Sequence, residues 1–310
     1  WCCFFILLSA AFSGCLKEEK LILYKRIPTK TNDLLTCVHT DSKGKITLLG
    51  GYVWSHCISL TGVDPDNLTI DTIADKLLFD LQPTKNDQLI AVGTDGYIYT
   101  LAENQWTLHR TSGWDILHSI RDAGPYYLAG GGKSYQTGYI YKLSATMQLE
   151  NVQYFDFEIS DIAIPADQTV IAVGFGRVIR SEDGGRTWNI LPVKGDFFAS
   201  VVFTDEHTGF IIGYNGTLLK SSDSGKSWQN ISSSLKGNGT NSLRKIVYLN
   251  ENNLIILGNS GKIWRSTDNG DNWKYYRADS ETDFYGIATW NSGYIIAGSG
   301  GCAALVDWDD

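Results

Sequence analysis

The sequence predicts an all-β chain closed into a seven-bladed β-propeller of four-stranded antiparallel blades. Three observations predict it. A strand ending in glycine recurs seven times, an eight-residue turn pattern recurs three times, and the composition favours strands and turns over helices. The glycine-ended strands are "ITLLGG", "LIAVGTDG", "YYLAGGG", "VIAVGFG", "FIIGYNG", "LIILGNSG" and "YIIAGSGG". Their anchoring glycines are Gly50, Gly93, Gly130, Gly174, Gly213, Gly258 and Gly298, spaced by 43, 37, 44, 39, 45 and 40 residues. A period near 40 is that of a four-stranded propeller blade.

The recurring turn reads Ser, any residue, Asp, any residue, Gly, any two residues, Trp. It appears as "SEDGGRTW" from Ser181, "SSDSGKSW" from Ser221 and "STDNGDNW" from Ser266. A single catalytic site does not come in triplicate along a chain, whereas a structural unit does. Asp183, Asp223 and Asp268 are placed to accept downstream backbone amides in Asx-type turns. Gly185, Gly225 and Gly270 supply the positive φ such turns need. Trp188, Trp228 and Trp273 open the next strand and bury a large ring. Blade two keeps a remnant, "GYIYTLAENQW", with Trp106 but without the Asp and Gly.

The seventh unit, "FYGIATW", "GYIIAGS", "CAALVDW", has three strands. The segment "LILYKRIP", residues 21 to 28, has no blade of its own, so it is expected to pair as the outermost strand of blade seven and remove an exposed edge. Residues 21 to 310 then form one propeller domain.

The triplicate turn resembles the Asp-box, or bacterial neuraminidase repeat, and "VGFGRVIRSEDGGRTW" and "IGYNGTLLKSSDSGKSW" are most similar to the photosystem II stability and assembly factor family. That resemblance implies a β-propeller with a binding or assembly role. The same turn also occurs in sialidases and other glycosidases, so it speaks for fold more than for activity.

Composition fits. The 310 residues are 43% hydrophobic, with 32 Gly, 10 Trp and 16 Tyr, and no long amphipathic helical pattern stands out. A net charge of −8 argues against a nucleic-acid partner, which needs a basic surface.

The opening "CCFFILLSAAFSGC" is an apolar run too short to span a bilayer and fits a signal-peptide core, residues 1 to 14. "FSGC" resembles the lipobox of bacterial lipoproteins, with Cys15 as the lipidated residue and Phe12 departing from the usual Leu or Val. Residues 15 to 20 read as a tether. The expectation is a monomer on the bacterial envelope, anchored by lipid in the outer membrane. Of the other cysteines, Cys37 and Cys57 fall on the first and third strands of blade one, too far apart for a disulfide, and with Cys302 read as buried thiols. No Cys/His spacing suggests a metal, and no motif suggests a cofactor.

Enzymatic readings find little support. Arg26-Ile27-Pro28 matches a sialidase motif, yet the closure above puts Arg26 on an outer strand, and the other arginines lack that context. Asp80, Asp115, Glu158 and Asp161 lie near inner strands, where a glycoside hydrolase would need two facing carboxylates. His39, His56, His109, His118 and His207 are scattered, and no nucleophile elbow or phosphate loop is present; "GGGKS" at 130 to 134 reads as a turn. No catalytic residue is assigned. A ligand rim is expected from Asp80, His118, Asp161, Arg244 and Lys245, with Trp54, Trp114, Phe198, Phe284 and Tyr285 as neighbouring aromatics. The reading is a membrane-anchored, non-enzymatic scaffold for a protein or glycan ligand on one propeller face; the alternative is a carbohydrate-active hydrolase.

Overall fold

The computed structural model describes residues 20–308 apart from 22, 87, 111–112, 196, 236–241, 251 and 279–280. Cys15 and the signal segment lie outside the described residues. Seven antiparallel sheets follow one another around a central channel. The strands nearest the channel are Leu34–Thr40, Leu78–Pro83, Leu117–Asp122, Ile159–Ala166, Phe198–Phe203, Leu243–Asn250 and Phe284–Trp290. Among the described residues the helical segments are single 3-10 turns, and no helix is long and apolar enough to cross a membrane.

The second strand of each blade is apolar on both faces because neighbouring blades cover both. Leu89–Gly93 and Gly209–Gly213 are buried along their whole length. The core divides into seven clusters, most of them spanning a blade boundary; one joins Ile90, Val92 and Ile98 of blade two to Leu117, Ile120 and Tyr139 of blade three. The recurrent glycine has a steric cause. A Cβ on Gly93 would lie 2.2 Å from the Leu77 carbonyl oxygen, and one on Gly174 1.7 Å from that of Glu158. In blade three the equivalent position is Gly131, which pairs with Leu117 and faces the Ile116 carbonyl, rather than Gly130.

The ring closes as expected, with one addition. Leu23–Arg26 pairs antiparallel with the last strand, Tyr24 opposite Val306, and completes blade seven. Ile27 then buries its side chain between blades seven and one. The strand is shorter than residues 21 to 28. Just before it, Lys20–Leu21 runs parallel to Lys274–Arg277 and adds a fifth strand to blade six, so Lys20 belongs to the sheet rather than to a free tether.

Candidate functional site

All seven inner strands carry a register shift at the same place. The ladder skips from Leu35 to Cys37, Leu78 to Asp80, Leu117 to Ser119, Ile159 to Asp161, Phe198 to Ser200, Leu243 to Lys245 and Phe284 to Gly286. A bulge leaves its extra residue outside the ladder and re-aims its side chain. The extra residues are Thr36, Phe79, His118, Ser160, Ala199, Arg244 and Tyr285, and every one lines the channel. The channel encloses about 920 Å³.

The expected rim residues come together here. Asp80 and Asp161, 4% and 1% exposed, both bind Arg121, whose Nη1 donates to Asp80 Oδ2 and Nη2 to Asp161 Oδ1, each at 2.6 Å. Lys245 Nζ reaches them from blade six at 3.8 and 3.9 Å. The carboxylates also knit the blades. Asp161 Oδ1 accepts Ser119 Oγ of blade three, and its Oδ2 accepts Ser200 Oγ and the Val201 amide of blade five. Asp80 accepts the Ile120 amide of blade three and its own neighbour Gln82. Burial alone would raise the Asp80 pKa; the Lys245 and Arg121 charges and these hydrogen bonds outweigh it and hold the carboxyl down at about 2. Sequence reasoning missed Arg121. One signal for it was available: with Arg244, it is one of two arginines on the inner strands of an arginine-poor chain.

His118 and Arg244 sit one position nearer the mouth. His118 Nε2 lies 2.8 Å from Glu158 Oε1, whose other oxygen accepts the Tyr135 amide at 2.9 Å. Burial raises the Glu158 pKa, and the His118 and Tyr135 bonds more than reverse it, leaving it lowered. Arg244 binds Asp283 at 2.8 Å and lies 4.7 Å over the Tyr285 ring. Of the expected aromatics, Trp54 and Trp114 are exposed and Tyr285 lines the channel; Phe198 and Phe284 are core residues and offer no ligand surface. Asp115 is held by the Tyr141 hydroxyl. Arg26 lies on the outermost strand of blade seven, away from the channel.

For hydrolysis one carboxyl must stay protonated near neutral pH while a second stays free to attack or take a proton. Asp80, held down at about 2, is no proton donor at neutral pH, and neither Asp80 nor Asp161 is free to attack, because both are bound by Arg121 and their oxygens are filled by donors. Among the described residues, no three His, Cys, Asp or Glu side chains are grouped to hold a metal ion.

The chain direction alternates along each blade. The mouth is therefore formed by the links into the inner strands and by the turns between second and third strands. Tyr52, Trp54, Trp114, Tyr135 and Phe175, all exposed, stand on those links and turns. The three Ser-x-Asp repeats join third to fourth strands, at the opposite ends. Their bonding is the same each time. Ser181, Ser221 and Ser266 Oγ donate to the Oδ1 of Asp183, Asp223 and Asp268 at 2.7–2.8 Å and accept the amides of Gly185, Gly225 and Gly270 at 2.8–3.0 Å. Each Asp accepts the amide four residues on, at 2.9 Å. The glycines have φ of +82°, +76° and +82°. The Trp273 ring meets Phe210 of the preceding blade edge-on, and Trp188 meets Phe155 likewise.

Comparison with known proteins places this architecture. A protein-family profile described as "Photosynthesis system II assembly factor YCF48" matches residues 71–222, just under half of the chain. No curated protein matches the sequence. Among solved structures, YCF48 from Cyanidioschyzon merolae is similar with a TM-score of 0.67 at 12% identity, over 91% of this chain and 98% of that one. A catalytically inactive virginiamycin B lyase from Staphylococcus aureus, with quinupristin, gives 0.74 at 9% identity over 93% and 99%. The WD40 repeats of RRP9 give 0.73 at 9% over 93% and 99%. These likenesses establish the propeller fold alone. The family match supports an assembly-factor-like propeller and fits a non-enzymatic scaffold.

Proposed function

We propose that the chain is a scaffold that binds a protein or glycan partner at the mouth face of its propeller, held on a bacterial envelope membrane through a lipid on Cys15. The observation that carries the binding part is the gathering of exposed tryptophan, tyrosine and phenylalanine on one face. Large exposed apolar groups in a soluble domain mark contact surfaces, and aromatic residues dominate binding energy where they cluster. The sealed Asp80–Arg121–Asp161 group supports a structural role for the channel carboxylates over a hydrolytic one. The anchor rests on the apolar opening segment and "FSGC" alone.

Photo-cross-linking tests the face. A benzoylphenylalanine placed at Trp54 or at Trp114 should capture a partner in envelope extracts, and one placed at Val63 or Ile190, which are exposed elsewhere, should not. Equal capture from all four positions overturns the assignment.

A further inference from the structure

One part of the mouth is built more elaborately than the rest. Tyr135, Phe175, Phe197 and Tyr214 form a continuous ring surface contributed by blades three, four and five. Tyr135 lies 5.2 Å from Phe175 and 5.9 Å from Phe197, and Phe197 stacks on Tyr214 at 4.6 Å and 22°. Tyr135 and Phe175 are 54% and 42% exposed. Ser134 and Tyr135 both adopt left-handed backbone, φ 57° and 62°, which non-glycine residues enter at a cost. Buried Glu158 braces this loop from beneath by accepting the Tyr135 amide. The hairpin tip, braced from below, holds the Tyr135 ring in water.

Its chemistry restricts the ligand. Both Glu158 oxygens and the His118 Nε2 are engaged internally, so the surface offers ring faces and the tyrosine hydroxyls rather than a free carboxylate. Prolyl and aromatic side chains need only the faces, as in aromatic-lined grooves that take extended proline-rich segments. The surrounding charge is basic for a chain of net −8. Among the described residues, Lys133, Arg177 and Lys194 are exposed on the same loops, against exposed Asp156. In the channel wall, the Lys245 ammonium meets its carboxylates at 3.8 and 3.9 Å, beyond hydrogen-bond reach.

We infer that this ring surface is the docking site for an acidic, ring-bearing polypeptide segment, an extended stretch that alternates prolyl or aromatic residues with Asp or Glu. The inference rests on the reading of the mouth as the binding face and narrows it to a protein partner. Cations around the rings would set orientation and rate, and the rings affinity.

The test uses the purified full chain and three fluorescent peptides: Glu-Pro-Tyr-Pro-Glu, its counterpart with Lys for Glu, and Glu-Gly-Ser-Gly-Glu. In anisotropy titrations at low salt the first should bind at least about tenfold more tightly than either other. That advantage over the Lys peptide should shrink at about 1 M salt, where the screening length is a few ångströms. Phe175→Ser should weaken the first peptide about tenfold or more, and Lys133→Glu with Arg177→Glu should invert the charge preference. All three side chains are exposed, so melting temperatures should hold; the wild-type comparison needs no variant at all. Equal binding of the Lys peptide, equal binding of the ring-free peptide, no binding of any, or indifference to Phe175→Ser overturns the inference. If cross-linking from Trp54 and Trp114 persists in that event, the mouth face stands and only its chemistry at blades three to five falls.

Discussion

Lys245 of blade six lies 3.8 Å from Asp80 of blade two and 3.9 Å from Asp161 of blade four, so one side chain ties together three blades that are not neighbours. Arg121 of blade three bridges the same two carboxylates at 2.6 Å. The two contacts differ in kind. Arg121 makes charge-assisted hydrogen bonds, while Lys245 contributes charge at a distance. Removing a carboxylate should therefore matter more than removing the lysine. Asp161→Asn is expected to cost about 3–5 kcal/mol, the usual penalty for breaking a buried ion pair. Lys245→Met should cost less than that, because the lysine is itself part-exposed and reaches the buried carboxylates without a hydrogen bond, and both keep Arg121. Urea denaturation midpoints of the two variants provide the comparison.

Acid should loosen the ring through Asp80. Its folded pKa, about 2, lies below the ordinary carboxyl value. The carboxylate therefore contributes stability in full above about pH 4. That contribution is lost as pH falls through 2. Asp80→Asn removes it at every pH. The stability gap between wild type and variant should be constant near neutrality and shrink from about pH 4 down to 2, as read from denaturation midpoints across that range.

The repeats on the far face should respond to loss of either partner of the Ser–Asp pair. Asp223→Ala strips acceptors from the Ser227 amide and from the hydroxyls of Ser221 and Ser227, and should cost about 1–3 kcal/mol. Ser221→Ala should fall in the same range, because the hydroxyl also accepts the buried Gly225 amide. Mouth binding should persist in both wherever the protein folds. A variant that kept its melting temperature and lost binding would show the repeat to be functional.

Cys37 and Cys57 should report opening of blade one. Both thiols are buried and unpaired, and burial foremost pushes each up to about 12. The thiolate is the reactive form, so alkylation at pH 8 should be slow and accelerate with denaturant in step with unfolding. Mass spectrometry of the peptides carrying each cysteine separates them from Cys2, Cys3 and Cys15. Rapid labelling of either in the native protein would contradict the packing of this blade.

Cys15→Ser is expected to move the protein from the membrane fraction to the soluble one, with its melting temperature unchanged. Two or more acyl chains anchor firmly where a single one does not, so fractionation should discriminate sharply. Palmitate incorporation in the wild type, absent from the variant, is the confirming measurement.

Much of the fold was legible in the sequence because the constraints that make a blade act on single residues. A glycine must end the second strand, or its Cβ strikes the carbonyl entering the inner strand, as at Gly93 and Gly174. Asp183 must be followed by Gly185 for the turn to close. The rim was legible as a set of positions, and Asp80, His118, Asp161, Arg244 and Lys245 do line one channel. Their relationships were not. The bulge in every inner strand offsets the side-chain alternation by one residue, and nothing in "LHSIRD" marks it. The partners of Asp161 lie on three other blades, so no local pattern announces them. The aromatic expectation failed at Phe198 and Phe284 for the same reason: each sits just before the bulge, where the side chain turns into the core.

The pairing of Leu23–Arg26 with Ala303–Asp307 also imposes an order in time. Val306 is synthesised about 280 residues after the Tyr24 it faces. At a synthesis rate of about 5–20 residues per second, that is a wait of roughly 15–60 seconds. Until then, the early strand has no antiparallel partner and the growing ring has open edges that invite pairing with another chain. The parallel contact of Lys20–Leu21 with Tyr276 and Arg277 forms one blade sooner. It holds the early strand beside the place its partner will occupy and shortens the loop that remains to be closed.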